Sequence, residues 1–368
     1  MQYCKNCLMP ETRPRIQFDE DGICNACSWS EEKKIDINWA SREKELAELV
    51  NFAKNRNKDS FDVIAPSSGG KDSSYVAYKL KELGLNPLTI TLKPPLPFEI
   101  GEKNLESFIN SGFDHVHITP NYELGSQIAK KAFIEHGQPM FAWIISVQTA
   151  IFRCAVLFDI PLVMFGEEGE VEYGGSSKLK NKATYNLEDS IKLYLSGQDP
   201  KEFTDNKFTD KQLYWWRYPS TDDFKKLNPS IAHWSYFENW DPYRNYMIAK
   251  EKYGLEESNE RSIGTYTNFA QTDTKLYDLH AYLMFLKFGF GRCTQDVGID
   301  IRRGALTRKQ GLELVRLYDG EYPEPYIEDY LKYFKMTIDE FNDVLDSFAN
   351  KNVLHKVNGR WKLIEKPL

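Results

Sequence analysis

Ser68-Gly69-Gly70-Lys71-Asp72-Ser73 brings two glycines, two hydroxyls, a cation and a carboxylate into six residues. Glycine lets the backbone turn tightly, with its N–H groups aimed at one point. Ser68 and Ser73 add hydroxyl donors, and Lys71 adds positive charge. Ser67, just before them, belongs to the same turn. The set suits the leaving pyrophosphate of a nucleotide. The flanks are of the right kind. Phe61 to Pro66 is an apolar run long enough for a short buried strand. Lys71 to Leu83 repeats Val76, Leu80 and Leu83 at helical spacing, and Gly84 supplies a stop. A helix start at the loop adds partial positive charge there. The alternative is a glycine-rich strand-to-helix turn without chemistry. The kinase-type loop, G-x-x-x-x-G-K-[ST], is absent. Ala65 stands five residues before Gly70, and Asp72 follows Lys71 where Ser or Thr is required.

A second constellation is Cys4-x-x-Cys7 with Cys24-x-x-Cys27, separated by sixteen residues. The spacing fits a four-thiolate zinc site with one knuckle at each end of a small ribbon. Asp21-Gly22 reads as the turn of a hairpin between them. Two disulfides or an iron–sulfur cluster are the alternatives. A closed four-ligand site is structural rather than catalytic. Cys154 and Cys293 stand alone and read as small buried apolar residues.

The third is the acidic stretch after Phe165, where Glu167, Glu168, Glu170 and Glu172 fall within six residues. Glu167, Glu168 and Glu170 are candidate Mg²⁺ ligands facing a triphosphate, since Mg²⁺ prefers carboxylate and phosphate oxygens. A solvated acidic turn is the plain alternative.

These residues need a frame. Strands are expected near 61–66, 88–92, 115–118 and 161–165, alternating with helices near 71–83, 102–111 and 140–158. That alternation predicts an α/β fold, a parallel doubly wound sheet with helices on both faces. Ligands then bind beyond the carboxyl ends of the strands, so the loops after Pro66, Leu92 and Phe165 should share one crevice. Residues 1–57 read as the zinc ribbon and a linking amphipathic helix, with a polar linker over 54–60. Residues 58–272 read as the nucleotide domain with an aromatic-rich insert. Residues 273–368 read as a helical C-terminal region. The stretch 180–230 is charged and irregular.

The hydrophobic fraction of 41% and charged fraction of 27% are those of a soluble globular protein. The net charge of −7 argues against a nucleic-acid partner, which usually demands a basic surface. The apolar stretch 140–158 carries Ser146, Gln148, Thr149 and Arg153 and reads as a core helix, not a membrane span. No signal pattern is visible at the start, and the cytoplasm is the expected compartment.

Ser-Gly-Gly-Lys-Asp-Ser in this setting resembles the PP-loop of the ATP pyrophosphatases, a HUP-like fold. The resemblance implies adenylation: an oxygen attacks the α-phosphorus of ATP and pyrophosphate leaves. Several stretches narrow it. Tyr3-Cys4-x-x-Cys7, Cys24-x-x-Cys27, Gly166 to Glu170, Asp273 to His280, Phe288 to Arg292 and Ile301 to Gly304 are similar to the N-acetyl sugar amidotransferases of the WbpG and PseA kind. That family is implied to convert a sugar acetamido group to an acetamidino group in surface-polysaccharide, O-antigen or nonulosonic acid synthesis. ATP is then the co-substrate, with Mg²⁺ and a structural Zn²⁺. The expected catalytic set is Lys71, Asp72 and Glu168. An acidic-loop glutamate or His280 is the expected base.

The chain shows no glutaminase signature, so the ammonia is expected from separate glutaminase and cyclase-like subunits, as the resemblance implies. Residues 213–246 are crowded with aromatics, among them Trp215, Trp216, Trp234 and Trp240, which either stack on sugar or pack the insert. Arg217, Arg244, Arg292, Arg302 and Arg303 are candidates for an anionic substrate group, with Arg292, Arg302 and Arg303 preferred. A rival reading is a tRNA-thiolating PP-loop enzyme, which usually needs further catalytic cysteines. A nucleotide-binding adaptor is a second rival, and the intact loop argues against it.

Overall fold

The computed structural model describes residues 1–56, 59–186, 203–204, 207–219, 221–365 and 367. Parts of the expected linker at 54–60 and of the irregular stretch at 180–230 lie outside these residues. Five strands form one parallel sheet: β1 (Val63–Pro66), β2 (Pro87–Leu92), β3 (Asp114–Ile118), β4 (Leu162–Phe165) and β5 (Ser230–His233). Their order is β3-β2-β1-β4-β5. Ala65 lies beside Thr89, and Ile64 beside Val163. The chain runs outward from β1 to β3, then crosses back to β4. The order therefore reverses between β1 and β4, and a crevice opens beyond their carboxyl ends.

Among the described residues, the α-helices before β5 are, in chain order, α1 (Asn25–Ile35), α2 (Trp39–Arg56), α3 (Lys71–Glu82), α4 (Glu99–Asn110), α5 (Tyr122–His136), α6 (Phe141–Leu157), α7 (Gly169–Glu172) and α8 (Thr221–Leu227). After β5 come α9 (Trp234–Phe237), α10 (Pro242–Tyr253), α11 (Leu276–Phe288), α12 (Arg292–Arg302), α13 (Arg308–Tyr318), α14 (Ile327–Phe334) and α15 (Ile338–Phe348). Successive side chains of a strand point to opposite faces. Val63 and Ala65 accordingly pack with Leu46 and Val50 of α2 and with Val76 and Leu80 of α3. Ile64 packs on the other face with Ala150, Ile151 and Cys154 of α6. Both faces are covered, as expected of a doubly wound sheet.

The helical C-terminal region shares a core with α5 and α6, in which Phe133 and Phe141 meet Leu279, Phe334 and Phe341. It ends in an antiparallel hairpin, β6 (Leu354–Val357) and β7 (Arg360–Leu363), that the helical reading did not include. The N-terminal module consists of two knuckles with isolated bridges, Tyr3 to Pro10 and Phe18 to Cys24, feeding directly into α1. Gly22 holds its turn at φ +80°. This module buries its cysteines against Phe290, with Met284 and Phe288 alongside. Its ends are thus joined to the C-terminal region, and Thr12 also bonds the Phe288 carbonyl. Among the described residues, no helix is long and apolar enough to cross a membrane.

Candidate active site

The loop after β1 is fixed from below. The Ser67 N–H donates to the Ile90 carbonyl at 2.9 Å, and the Thr91 hydroxyl bonds the Ser67 carbonyl. Gly69 has φ +75°. A Cβ there would lie 2.4 Å from Leu105 Cα, so the α4 backbone presses on the loop and admits only glycine. Gly70 begins α3 without a side-chain cap. The first-turn amides of α3 therefore have no intrahelical partner and face the loop. Ser73 Oγ donates to the Gly70 carbonyl at 3.2 Å and accepts from the Ser68 N–H at 3.3 Å. Strand, glycine turn and helix start have the arrangement of a phosphate-binding loop.

Lys71 and Asp72 are in contact, and the other Asp72 oxygen accepts from Asn245 Nδ2 at 2.9 Å. Asn245 is fully buried on α10. Burial works against the Lys71 charge, but Asp72 and Glu167 more than offset it, and the ammonium is held charged.

The acidic turn divides its carboxylates sharply. Glu167 receives the Tyr173 hydroxyl at 2.6 Å. Burial, then the nearby Asp72 charge, pushes its carboxyl up to about 7. Glu168 turns away: its carboxylate caps α7, accepting from Glu170 N at 3.3 Å and Val171 N at 2.8 Å. Glu170 pairs with Arg15. Glu172 receives Trp29 Nε1 at 3.0 Å and Lys33 Nζ at 2.7 Å. Glu168 and Glu170, expected at the metal, and Glu168 in catalysis, are thus held by a helix cap and by Arg15. Of the four glutamates in the turn, Glu167 is the one that lines the cavity with Lys71 and Asp72.

Three adjoining cavities meet at Glu167. The first, about 240 Å³, is lined by Ser68, Gly70, Lys71, Asp72 and Ser73 and roofed by residues 269–273. That roof lies close on α4, since a Cβ on Gly101 would sit 2.3 Å from the Thr272 carbonyl oxygen. The second, about 120 Å³, places Lys71, Asp72 and Glu167 opposite Tyr243, Tyr277 and Asp296. The third, about 230 Å³, runs from Glu167 and Trp240 to Lys33, Lys34, Arg302 and Arg303. Burial raises the carboxyls of Asp273 and Asp296 above the usual carboxylate range.

The arginines separate as well. Arg292 is 1% exposed and lines none of the three cavities. Its guanidinium donates to the Ala270 carbonyl at 2.6 Å and lies 3.7 Å from Asp278 and 3.8 Å from Asp296. Expected as a substrate ligand, it supports the roof from behind. Arg302 and Arg303 do line the third cavity. Arg302 also lies close enough to Cys7, Cys24 and Cys27 to interact with them electrostatically. Arg303 pairs with Asp300 at 2.8 Å and stacks over Tyr243. Arg217 pairs with Asp210, and Arg244 with Glu238. His280 lines none of these cavities, and burial pushes its imidazole down to about 4. Trp216 and Trp234 are core residues, whereas Trp240 and Tyr243 reach the cavities.

Cys4, Cys7, Cys24 and Cys27 are buried, with their sulfurs all within 4.8 Å of one another. Cys4 to Cys27 is 3.9 Å, and Cys7 to Cys24 is 3.5 Å. A zinc tetrahedron with Zn–S near 2.3 Å has sulfur–sulfur edges of about 3.8 Å. The four thiols fit that ion, and Arg302 supplies a compensating charge. Cys154 and Cys293 are buried thiols, and burial pushes Cys154 up to about 11 and Cys293 further.

Asn245, Tyr173, Asp296 and the roof at 269–273 were not singled out as site residues from the sequence. Asp273 alone had a signal, in the stretch Asp273 to His280.

Residues 263–368 match the family described as LPS biosynthesis protein WbpG-like, C-terminal domain. No curated protein matches the chain. Among solved structures, a predicted subunit of tRNA methyltransferase from Methanocaldococcus jannaschii is similar, with 20% identity over 51% of this chain and 75% of that one and a TM-score of 0.28. The fold assignment rests on the sheet described above and not on that likeness.

Proposed function

We propose that this protein, whose residues 263–368 match the WbpG-like C-terminal domain family, is an ATP-dependent, AMP-forming amidotransferase of the PP-loop kind. It converts the acetamido group of a sugar to an acetamidino group, for surface polysaccharide, O-antigen or nonulosonic acid synthesis in the cytoplasm. The observation that carries this reading is the meeting of three cavities at Glu167, one a phosphate nest and another basic.

An amide carbonyl is a poor electrophile with a poor leaving group. Its oxygen attacks the α-phosphorus of ATP, the bond to pyrophosphate breaks, and an O-adenylyl imidate forms. Ammonia then adds to the former carbonyl carbon, and AMP leaves with the sugar's oxygen. The amides of residues 69–72 and the Lys71 ammonium hold the departing pyrophosphate. Asn245 keeps Asp72 beside Lys71. Asp72 and Glu167 are the carboxylates that would hold Mg²⁺, which neutralises charge building on the phosphates when bound. Asp296, across the second cavity, is placed to take a proton from the adding ammonia. Arg302 and Arg303 would hold an anionic group of the sugar substrate, a diphosphate or a carboxylate.

Ammonia comes from separate glutaminase and cyclase-like subunits in this reading. The two cysteines outside the metal module are buried with raised thiols, which leaves neither as a ready nucleophile toward glutamine. The same thiols weigh against tRNA thiolation. Mass spectrometry of acetamido nucleotide sugars and nonulosonic acids incubated with ATP, Mg²⁺ and ammonium tests the proposal. Replacement of one sugar oxygen by NH is expected. Pyrophosphate release that no acetamido sugar stimulates would overturn it.

A further inference from the structure

The acidic turn is gripped from the cysteine side. Arg15, between the two cysteine pairs, donates through Nε to Glu170 at 2.9 Å and through Nη2 at 2.5 Å. Asn25 Nδ2 donates to the Gly175 carbonyl at 2.9 Å. Trp29 and Lys33 both end on the Glu172 carboxylate. Arg302, which lies near the cysteine module, donates to the Glu172 carbonyl at 3.3 Å. Asn25, Trp29 and Lys33 all belong to α1, which starts directly after Cys24 and carries Cys27.

The Lys33–Glu172 pair is nearly dry, with side chains 7% and 14% exposed. Burying such a pair is weak evidence for stability, because desolvation consumes most of the attraction. What it does provide is registry of α1 against α7. Tyr173 follows Glu172 directly, and its hydroxyl ends on Glu167. An unbroken series of contacts therefore joins the cysteine module to the carboxylate where the three cavities meet. We propose that the cysteine module is a strut that sets the position of Glu167, with Glu172 as the positioning residue that transmits it through Tyr173. The catalytic consequence rests on the amidotransferase reading, but the mechanical link does not.

Hydrogen exchange on the full-length zinc-loaded chain, without substrate, tests the link directly. In Glu172→Gln, with zinc content unchanged, amides 166–176 are expected to exchange roughly tenfold faster or more, the scale of one lost charge-assisted hydrogen bond. Amides of β1 and of residues 68–74 keep their protection. Chelation of the zinc gives the same local signature first. Where ATP turnover is measured, kcat falls and half-maximal turnover needs more Mg²⁺, because Glu167 lines the phosphate cavity beside Lys71 and Asp72. Unchanged exchange over 166–176 in Glu172→Gln overturns the proposal. Should that variant loosen the whole chain, Trp29→Phe, which removes one of the two donors to Glu172, is read by the same criteria, and global loosening there also overturns it. If no amidotransferase activity exists, turnover is silent and the exchange result still decides.

Discussion

Gly69→Ala is the sharpest single perturbation of the phosphate nest. Gly69 stands at φ +75°, a conformation that costs an L residue about 1–2 kcal/mol. The new methyl also meets backbone: Leu105 Cα at 2.4 Å, Leu105 N at 2.5 Å and the Asn104 carbonyl carbon at 2.8 Å. No rotamer relieves those contacts, so α4 must move, at a further cost of about 1–3 kcal/mol. The expected loss is roughly 2–5 kcal/mol in urea unfolding with an unchanged m value. Moving α4 also shifts the roof over Gly101, so ATP-dependent pyrophosphate release should fall by at least about tenfold. Gly70→Ala is the matched control. Its nearest neighbour would be Ser68 Oγ at 3.3 Å, a hydroxyl that can rotate, and the cost should stay below about 1 kcal/mol. Equal stability and equal pyrophosphate release in the two variants would refute this account of the loop.

Three further outcomes follow from the site. Glu167, raised to about 7, carries a proton below that pH and cannot ligate Mg²⁺ until it loses it. Mg²⁺ affinity should therefore climb by about tenfold per pH unit up to pH 7 and level off above it, measured by Mg²⁺ titration of ATP turnover, with Glu167→Gln showing no such climb. Cys27→Ser should release the zinc and lower the unfolding midpoint, read by metal analysis and urea titration, since structural zinc contributes directly to folding. Arg303→Ala should raise KM for the anionic sugar by about tenfold and leave KM for ATP unchanged, because it lines the third cavity and not the first.

The frame was legible where its signals were local. The runs that became β1, β2 and β4 are largely apolar, β3 alternates His115 and His117 with Val116 and Ile118, and α6 is nearly continuous in its apolar side chains. β5 was missed because Ser230–His233 is four residues with little pattern, and it is a strand only because β4 pairs with it. α1 was missed because few of its side chains form an apolar stripe; Lys33 is buried there by an ion pair. α10 did carry signals, with Asp241 capping it, Pro242 at its start and Gly254 at its end. In the site, the phosphate loop could be read because glycine turns and helix starts are short-range features. Which glutamate faces it could not, since Glu168 is diverted by a helix cap that depends on the backbone of the turn. The Asp72–Asn245 contact joins residues 173 apart in the chain, beyond the reach of any periodicity. The placement of Arg292 was not legible for a related reason: the α12 start carries it inward beneath the roof.

The central claim is that the oxygen of the sugar amide becomes bonded to the α-phosphorus of ATP. Heavy-oxygen labelling of the acetamido carbonyl, followed by mass analysis of the nucleotide products, tests it most directly. The account predicts label in AMP and unlabelled pyrophosphate. Recovery of ADP with labelled inorganic phosphate would contradict it.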